Sequence, residues 1–182
     1  MTDSQGHFDN LTQYVTLNES KGNNVFTFPH IHNHYEIYYN ISGAKGYMVN
    51  GIFYKCSERD LIIIPKLQAH KVIVDSDCEK YERCNIYIDE KLLSVLEIMS
   101  SSKESLKWLV GEDDKIPKKT TLSKKHHNEI MVLIEKYMEK GSREEKLGML
   151  AEILVFLVCT VLVLVSVAPP MPGLVPVQLY KQ

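Results

Sequence analysis

Residues 29–43 read PHIHNHYEIYYNISG, and no other stretch restricts the fold as tightly. Side chains alternate between the two faces of an extended strand. His30, His32, His34, Glu36, Tyr38 and Asn40 therefore fall on one face, and Ile31, Tyr35, Ile37, Tyr39 and Ile41 on the other. Three imidazoles and a carboxylate make a poor packing surface. They make a sensible lining for a wet barrel interior whose opposite, apolar face is covered by other elements. His34 is expected at the rim.

The runs around this segment are short and rich in β-formers. They are VFTF (25–28), YEIYYNI (35–41), GYMVN (46–50), IFYK (52–55), LIII (61–64), HKVIV (70–74) and CNIYI (84–88). Asn50-Gly51 between two such runs is a two-residue hairpin signal, because both turn positions need positive φ. Close, regular spacing of strands indicates a barrel or sandwich. After Ile88 the pattern turns helical. DEKLLSVLEIM (89–99) reads as one helix. Ser123 caps a second that runs to about Lys140 and stops at Gly141. Ser142 and Glu145 form a capping box that opens a third. The expected fold class is mainly β with C-terminal α: a β-barrel followed by about three helices. The expected organisation is an N-terminal arm over 1–22 with room for one short strand, a barrel over 23–88, a helical dimerisation region over 89–168 and a disordered Pro-rich tail over 169–182.

The spacing of His30, His32, Glu36 and Gly43 resembles the first motif of the cupin family, H-x-H-x3-E-x6-G. The second motif, G-x5-P-x-G-x2-H-x3-N, is matched by Pro65 and His70, whereas Arg59, Leu67 and Val74 stand in place of its glycines and asparagine. A fuller resemblance covers about residues 28–88. Pro29, His30, His32, Glu36, Ile37, Tyr38, Gly43, Tyr47, Val49, Asn50, Gly51, Tyr54, Asp60, Leu61, Ile62, Ile64, Pro65, His70, Tyr81 and Arg83 resemble the N-terminal sensor domain of AraC-type transcription regulators. The resemblance implies a cupin-like β-barrel (double-stranded β-helix) that serves as a ligand-sensing and dimerising domain, ordinarily followed by two helix-turn-helix units. No segment of this chain reads as such a unit, so no direct nucleic-acid binding is expected of it. The net charge of -2 agrees, because phosphate contacts require a basic face. Lys118, Lys119, Lys124 and Lys125 read as a solvated helix start and loop.

The expected partner is a small-molecule effector held by His30, His32, Glu36, Tyr38, Tyr47 and His70. The first reading is a non-enzymatic sensor without a cofactor. The alternative is a metal-dependent cupin enzyme of dioxygenase or isomerase type. Its metal (Zn, Fe, Mn or Ni) would sit on His30, His32, Glu36 and His70. Arg83 is expected to pair with Glu82 or Asp60, and His126 and His127 to face solvent. Trp108 reads as core.

Leu147, Leu150, Ala151, Leu154, Leu157, Val158 and Val161 recur at helical spacing. Their stripe is wider than one barrel face should need, so a homodimer interface is expected there. Residues 153–168 are uncharged but shorter than a spanning helix, which makes a membrane-tethered sensor the lesser alternative. None of the four cysteines forms a C-x-x-C pair, and the polar N-terminus has no apolar signal core. A cytoplasmic chain is expected, with Cys84 and Cys159 as core residues.

Overall fold

The computed structural model describes residues 14–22, 25, 28–99 and 117–167, with backbone alone for 95–99 and 161–167. Among the described residues eight strands run in chain order: β1 (Val15–Ser20), β2 (Tyr35–Ser42), β3 (Gly46–Val49), β4 (Ile52–Lys55), β5 (Asp60–Ile64), β6 (His70–Ile73), β7 (Tyr81–Ile88) and β8 (Lys118–Thr121). The helices are α1 (Glu90–Met99), α2 (Lys124–Glu139) and α3 (Arg143–Val167). One antiparallel sheet has the order β1-β7-β2-β5-β8 and the other β4-β3-β6. This is the expected cupin-like β fold with C-terminal helices.

The larger sheet lies between two layers. Its outer face, with Val15, Tyr35, Ile37, Tyr39, Leu61, Ile63, Cys84, Ile86 and Ile88, forms one core with the helices. Its inner face, with Tyr38, Ile62, Ile64 and Tyr81, packs on Tyr47 and Val49 of the small sheet. Burial on both faces explains why β5 is a continuous apolar run, LIII, rather than an alternating one.

Local signals act where the sequence places them. Asn50 and Gly51 adopt φ of 48° and 80°, and Val49 faces Ile52 across the turn. The Asp89 side chain accepts from the Leu92 amide at the start of α1. Ser123 accepts from the His126 amide to open α2. Ser142 and Glu145 exchange both bonds of the capping box ahead of α3. Gly43, the glycine of the cupin-like motif, has φ of 85°, and a Cβ there would collide with the Lys80 carbonyl.

Several expectations are corrected. β1 belongs to the sheet rather than to an arm, because its ladder with β7 is paired throughout. β8 lies in the stretch assigned to helices. Lys118 and Lys119 are strand residues there, and Lys119 Nζ lies 2.8 Å from the buried Asp60 carboxylate. The expected strand at 25–28 lies partly outside the described residues; Val25 and Phe28 are not in a strand. Leu150, Leu154 and Leu157 are buried within one chain, and Leu147, Ala151 and Val158 pack at the edge of that core. These six side chains therefore pack in the chain's own core or at its edge. The stripe's last member, Val161, lies outside the described side chains. Cys84 is core as expected, but Cys159 is exposed. Trp108 and the tail lie outside the described residues. No helix among the described residues is long and apolar enough to cross a membrane.

A carboxylate ringed by histidines at one end of the barrel

The site forms where four chain segments converge. Glu36 lies near the start of β2. His30 and His32 precede it on a segment tied to the start of β6: the amides of His30 and His70 each donate to the other's carbonyl at 3.0 Å. The Leu67 amide donates to the His32 carbonyl at 2.9 Å. Asn85 and Tyr87 extend from β7 beside β2, with Tyr87 facing Glu36 and Asn85 facing Tyr38.

Glu36 is 1% exposed and sits at the centre. Its Oε2 lies 2.9 Å from His32 Nε2 and 3.3 Å from His70 Nε2. Its Oε1 accepts from Asn85 Nδ2 at 2.9 Å and from the Tyr47 hydroxyl at 3.3 Å. Burial alone would raise this carboxyl, but the hydrogen bonds and charges of His32 and His70 outweigh it and hold the group well below the usual carboxylate range. His70 is also pushed down by burial, yet its hydrogen bond and charge interaction with Glu36 leave it raised. His30 is lowered, by burial first and then by His70.

The far side of each imidazole is already committed. His32 Nδ1 lies 3.0 Å from the His34 carbonyl, and His70 Nδ1 lies 2.7 Å from that of Gln68. His30 is hydrogen-bonded to the Phe28 backbone. A carbonyl accepts only, so the Nδ1 atoms of His32 and His70 carry hydrogen. Their Nε2 atoms face the Glu36 carboxylate, which also only accepts, so a hydrogen bond there needs a second ring hydrogen. His30, His32, Glu36 and His70 each offer one ligand atom, all within 4.8 Å of one another.

His34, expected at the rim, is 5% exposed. Its ring stacks on His32 at 3.7 Å and meets Tyr87 edge-on at 5.0 Å. Tyr38 is not part of the cluster. It is 1% exposed, and its hydroxyl is spent on Tyr81 at 3.1 Å. With Tyr47, Ile62, Ile64 and Tyr81 it fills the barrel middle, so the polar interior expected from the sequence is confined to one end. Asn40 braces the other end, donating to the Ser57 carbonyl at 2.8 Å and accepting from the Ala44 amide. Arg83 meets neither expected acid. It lies over the Tyr81 ring at 5.0 Å, while Lys119 holds Asp60 and Lys80 holds Glu82. His127 is half-buried and bonded to the Tyr39 hydroxyl at 2.7 Å rather than solvent-facing, and His126 is also half-buried. Asn85 is the participant that the sequence did not single out. Its odd position in CNIYI matches the alternation of β7, which was the available signal.

The AraC-like ligand binding domain family model matches residues 13–116, more than half of the chain and all of the cluster. The chain belongs to this family. No curated protein matches it. Among solved structures it is similar to an apo variant of ToxT from Vibrio cholerae strain SCE256, at a TM-score of 0.56 and 11% identity, over 81% of this chain and 54% of that one. It is also similar to wild-type ToxT of the same strain bound to an unsaturated fatty acid, at a TM-score of 0.51 and 15% identity, over 77% of this chain and 50% of that one. The chain therefore spans about half the length of these ToxT structures. At such identities the likeness establishes the fold. As an AraC-like ligand-binding domain, the chain carries its histidine–carboxylate cluster where the barrel meets the 67–70 turn.

Proposed function

We propose that this chain is the small-molecule sensing domain of an AraC-type transcription regulator, with its effector held at the barrel end by His30, His32, Glu36, Tyr47 and His70. The observation that carries the reading is the Glu36 carboxylate, buried among imidazoles at one end of the barrel beside an Asn85 Oδ1 that is buried without a hydrogen-bond partner among the described residues. Such groups are costly to keep in a protein interior unless they serve a bound partner. The ToxT structure bound to an unsaturated fatty acid supports ligand sensing on this fold. Sensing requires an effector that favours one arrangement of the domain over another. The route outward is β5: it pairs with β2 on one side and with β8 on the other, and β8 leads directly into α2. The regulator works in the cytoplasm, as a homodimer, and DNA contact is made outside these residues.

The decisive experiment is a thermal-shift screen of metabolites against wild type and Glu36→Gln. A native-state binder raises the midpoint by mass action. The effector is expected to raise the wild-type midpoint and to lose most of that effect in the variant. Effectors acting equally on both proteins would remove the cluster from the binding site.

A second reading has one specific support. Imidazoles whose outer nitrogens are fixed by backbone carbonyls are oriented as metal ligands usually are. Three such rings and one carboxylate suit Zn, Fe, Mn or Ni. A metal held there would supply Lewis acidity or redox chemistry, as in a metal-dependent cupin enzyme, with Asn85 and Tyr47 orienting Glu36. Metal analysis of protein produced in supplemented medium tests this reading: stoichiometric metal lost in His32→Ala supports it, and metal-free protein eliminates it.

A further inference from the structure

Resting on the sensing reading above, we propose that the effector carries a carboxylate and that Arg83, on the barrel face of β7, is the residue that takes it. Residues paired directly across an antiparallel ladder share a face. Thr16, Asn18 and Ser20 of β1 pair with Asn85, Arg83 and Tyr81 of β7, and Tyr81 belongs to the inner core. The inside of the barrel is therefore polar along β1 and β7. It is also open there. Asn18 is exposed, and Thr16, Ser20, Arg83 and Asn85 are half-buried, whereas Tyr38, Tyr47, Ile62 and Ile64 of the same interior are buried. Solvent therefore reaches this wall.

Arg83 is the cation that the wall leaves unmatched. Other cations of the sheet have acids: Lys80 pairs with Glu82, and Lys119 with Asp60. Arg83 pairs with no carboxylate among the described residues. Its guanidinium lies over the Tyr81 ring at 5.0 Å, and the Tyr81 hydroxyl takes one of its N–H groups. Asn40, across the ladder from it, is occupied with Ser57 and Ala44. Burial raises Tyr38, Tyr81 and Tyr87, and the Arg83 charge opposes that rise in all three, which sets it among the tyrosines of the interior. A guanidinium has five N–H donors in a planar fork, and a carboxylate accepts two of them in parallel.

Two further groups of the wall lack partners. Ser20 Oγ and Asn85 Oδ1 are buried without a hydrogen bond among the described residues, and they lie on either side of Arg83 along the ladder. Asn85 Nδ2 is committed to Glu36 and to the Tyr87 hydroxyl, so its carbonyl oxygen calls for a donor from outside. Alternate residues of a strand are about 7 Å apart. A four-carbon acid with a terminal hydroxyl spans that distance, its carboxylate on Arg83 and its hydroxyl on Asn85. This order keeps the ligand's anion on the far side of Asn85 from Glu36.

The test uses four probes on the whole chain: 4-hydroxybutyrate, butyrate, butane-1,4-diol and butylamine, read by calorimetry and thermal midpoint. The hydroxy acid is expected to bind saturably and to raise the midpoint, butyrate to bind more weakly, and the uncharged and cationic probes to do neither. Arg83→Met is expected to weaken the hydroxy acid by roughly tenfold or more, and Arg83→Lys to recover part of that loss as a charge without the fork. The wild-type series needs neither variant, so a variant that fails to fold leaves the proposal open to refutation. Binding of butylamine with both acids inert overturns the assignment, and so do acids that bind wild type and Arg83→Met alike. Silence from all four overturns it as well, while the metabolite screen against Glu36→Gln decides separately whether the barrel senses anything.

Discussion

Around Glu36 the ionisable residues pull stability in different directions with pH. His34 is lowered from 6.5 to about 4, by burial first and by the His32 charge second. The unfolded chain therefore binds this proton more readily than the folded one. The contribution of His34 is intact above about 6.5 and drains away as pH falls toward 4. Glu36, held below its ordinary value, likewise contributes above the unfolded carboxylate range and loses that contribution on acidification. His70 has the opposite sign: its contribution is present below its ordinary value and is lost as pH rises through the raised one. Urea unfolding followed across pH should show stability falling between 6.5 and 4, with His34→Gln flattening that slope; an unchanged slope would exclude His34 as its source. Leu67 offers a separate check. Together with Arg59 it stands where the cupin-like motif has glycine, yet both keep the left-handed backbone, at φ of 61° and 67°. That conformation costs a side-chain-bearing residue about 1–2 kcal/mol, and glycine's extra unfolded-state freedom returns about 0.5–1 kcal/mol of it. Leu67→Gly should therefore stabilise the chain by up to about 1 kcal/mol in urea titration. The degenerate motif hid a backbone requirement that the fold nevertheless retains.

Among the elements, β8 was the least legible. KKTT carries no apolar alternation, and both its lysines suggest solvent. The strand exists because of its partner. β5 presents an open edge, and Asp60 at its start is buried among the Ser57 amide at 2.8 Å, the Thr121 hydroxyl and Lys119. Sequence periodicity reports which face is apolar; it does not report a polar edge strand recruited by a buried acid. Lys119→Met should cost about 1–3 kcal/mol, because removing the cation leaves a buried carboxylate short of a partner. The range is held below that of a fully buried pair because Lys119 is 29% exposed. A double-mutant cycle with Asp60→Asn checks it, and purely additive losses would show that the pair contributes nothing. By contrast, the Asn50-Gly51 hairpin and the caps at Ser123 and Ser142 were legible because each is decided within four residues.

For the molecule as a whole, the apolar stripe of α3 has an intramolecular purpose. Leu150, Leu154 and Leu157 complete a core shared by the larger sheet and α2. Leu154→Ala is expected to destabilise folding by about 2–5 kcal/mol, as for other large-to-small core changes. Val155, exposed at 62% one position along, should tolerate Val155→Thr with little loss. Chemical denaturation of the two variants separates core from surface; equal losses would contradict the packing of α3 described above. Two strands assigned by sequence to neighbouring regions, β1 and β8, close the two ends of one sheet.

The sequence alone determined the strand and helix signals whose causes are local: two-residue alternation through 35–41, a turn needing two positive φ angles, and capping residues, whereas the bend at 33–34 breaks the alternation expected from His30 onward. The tertiary structure decided everything that depends on what faces that strand. It buried His34, withdrew Tyr38 into the barrel core, brought His70 and Asn85 to Glu36, turned the α3 stripe inward and gave Asp60 its lysine. The physical reason is the same in each case: alternation fixes which side chains share a face, while burial and partners are set by residues distant in sequence, which only the packed layers bring within hydrogen-bond range.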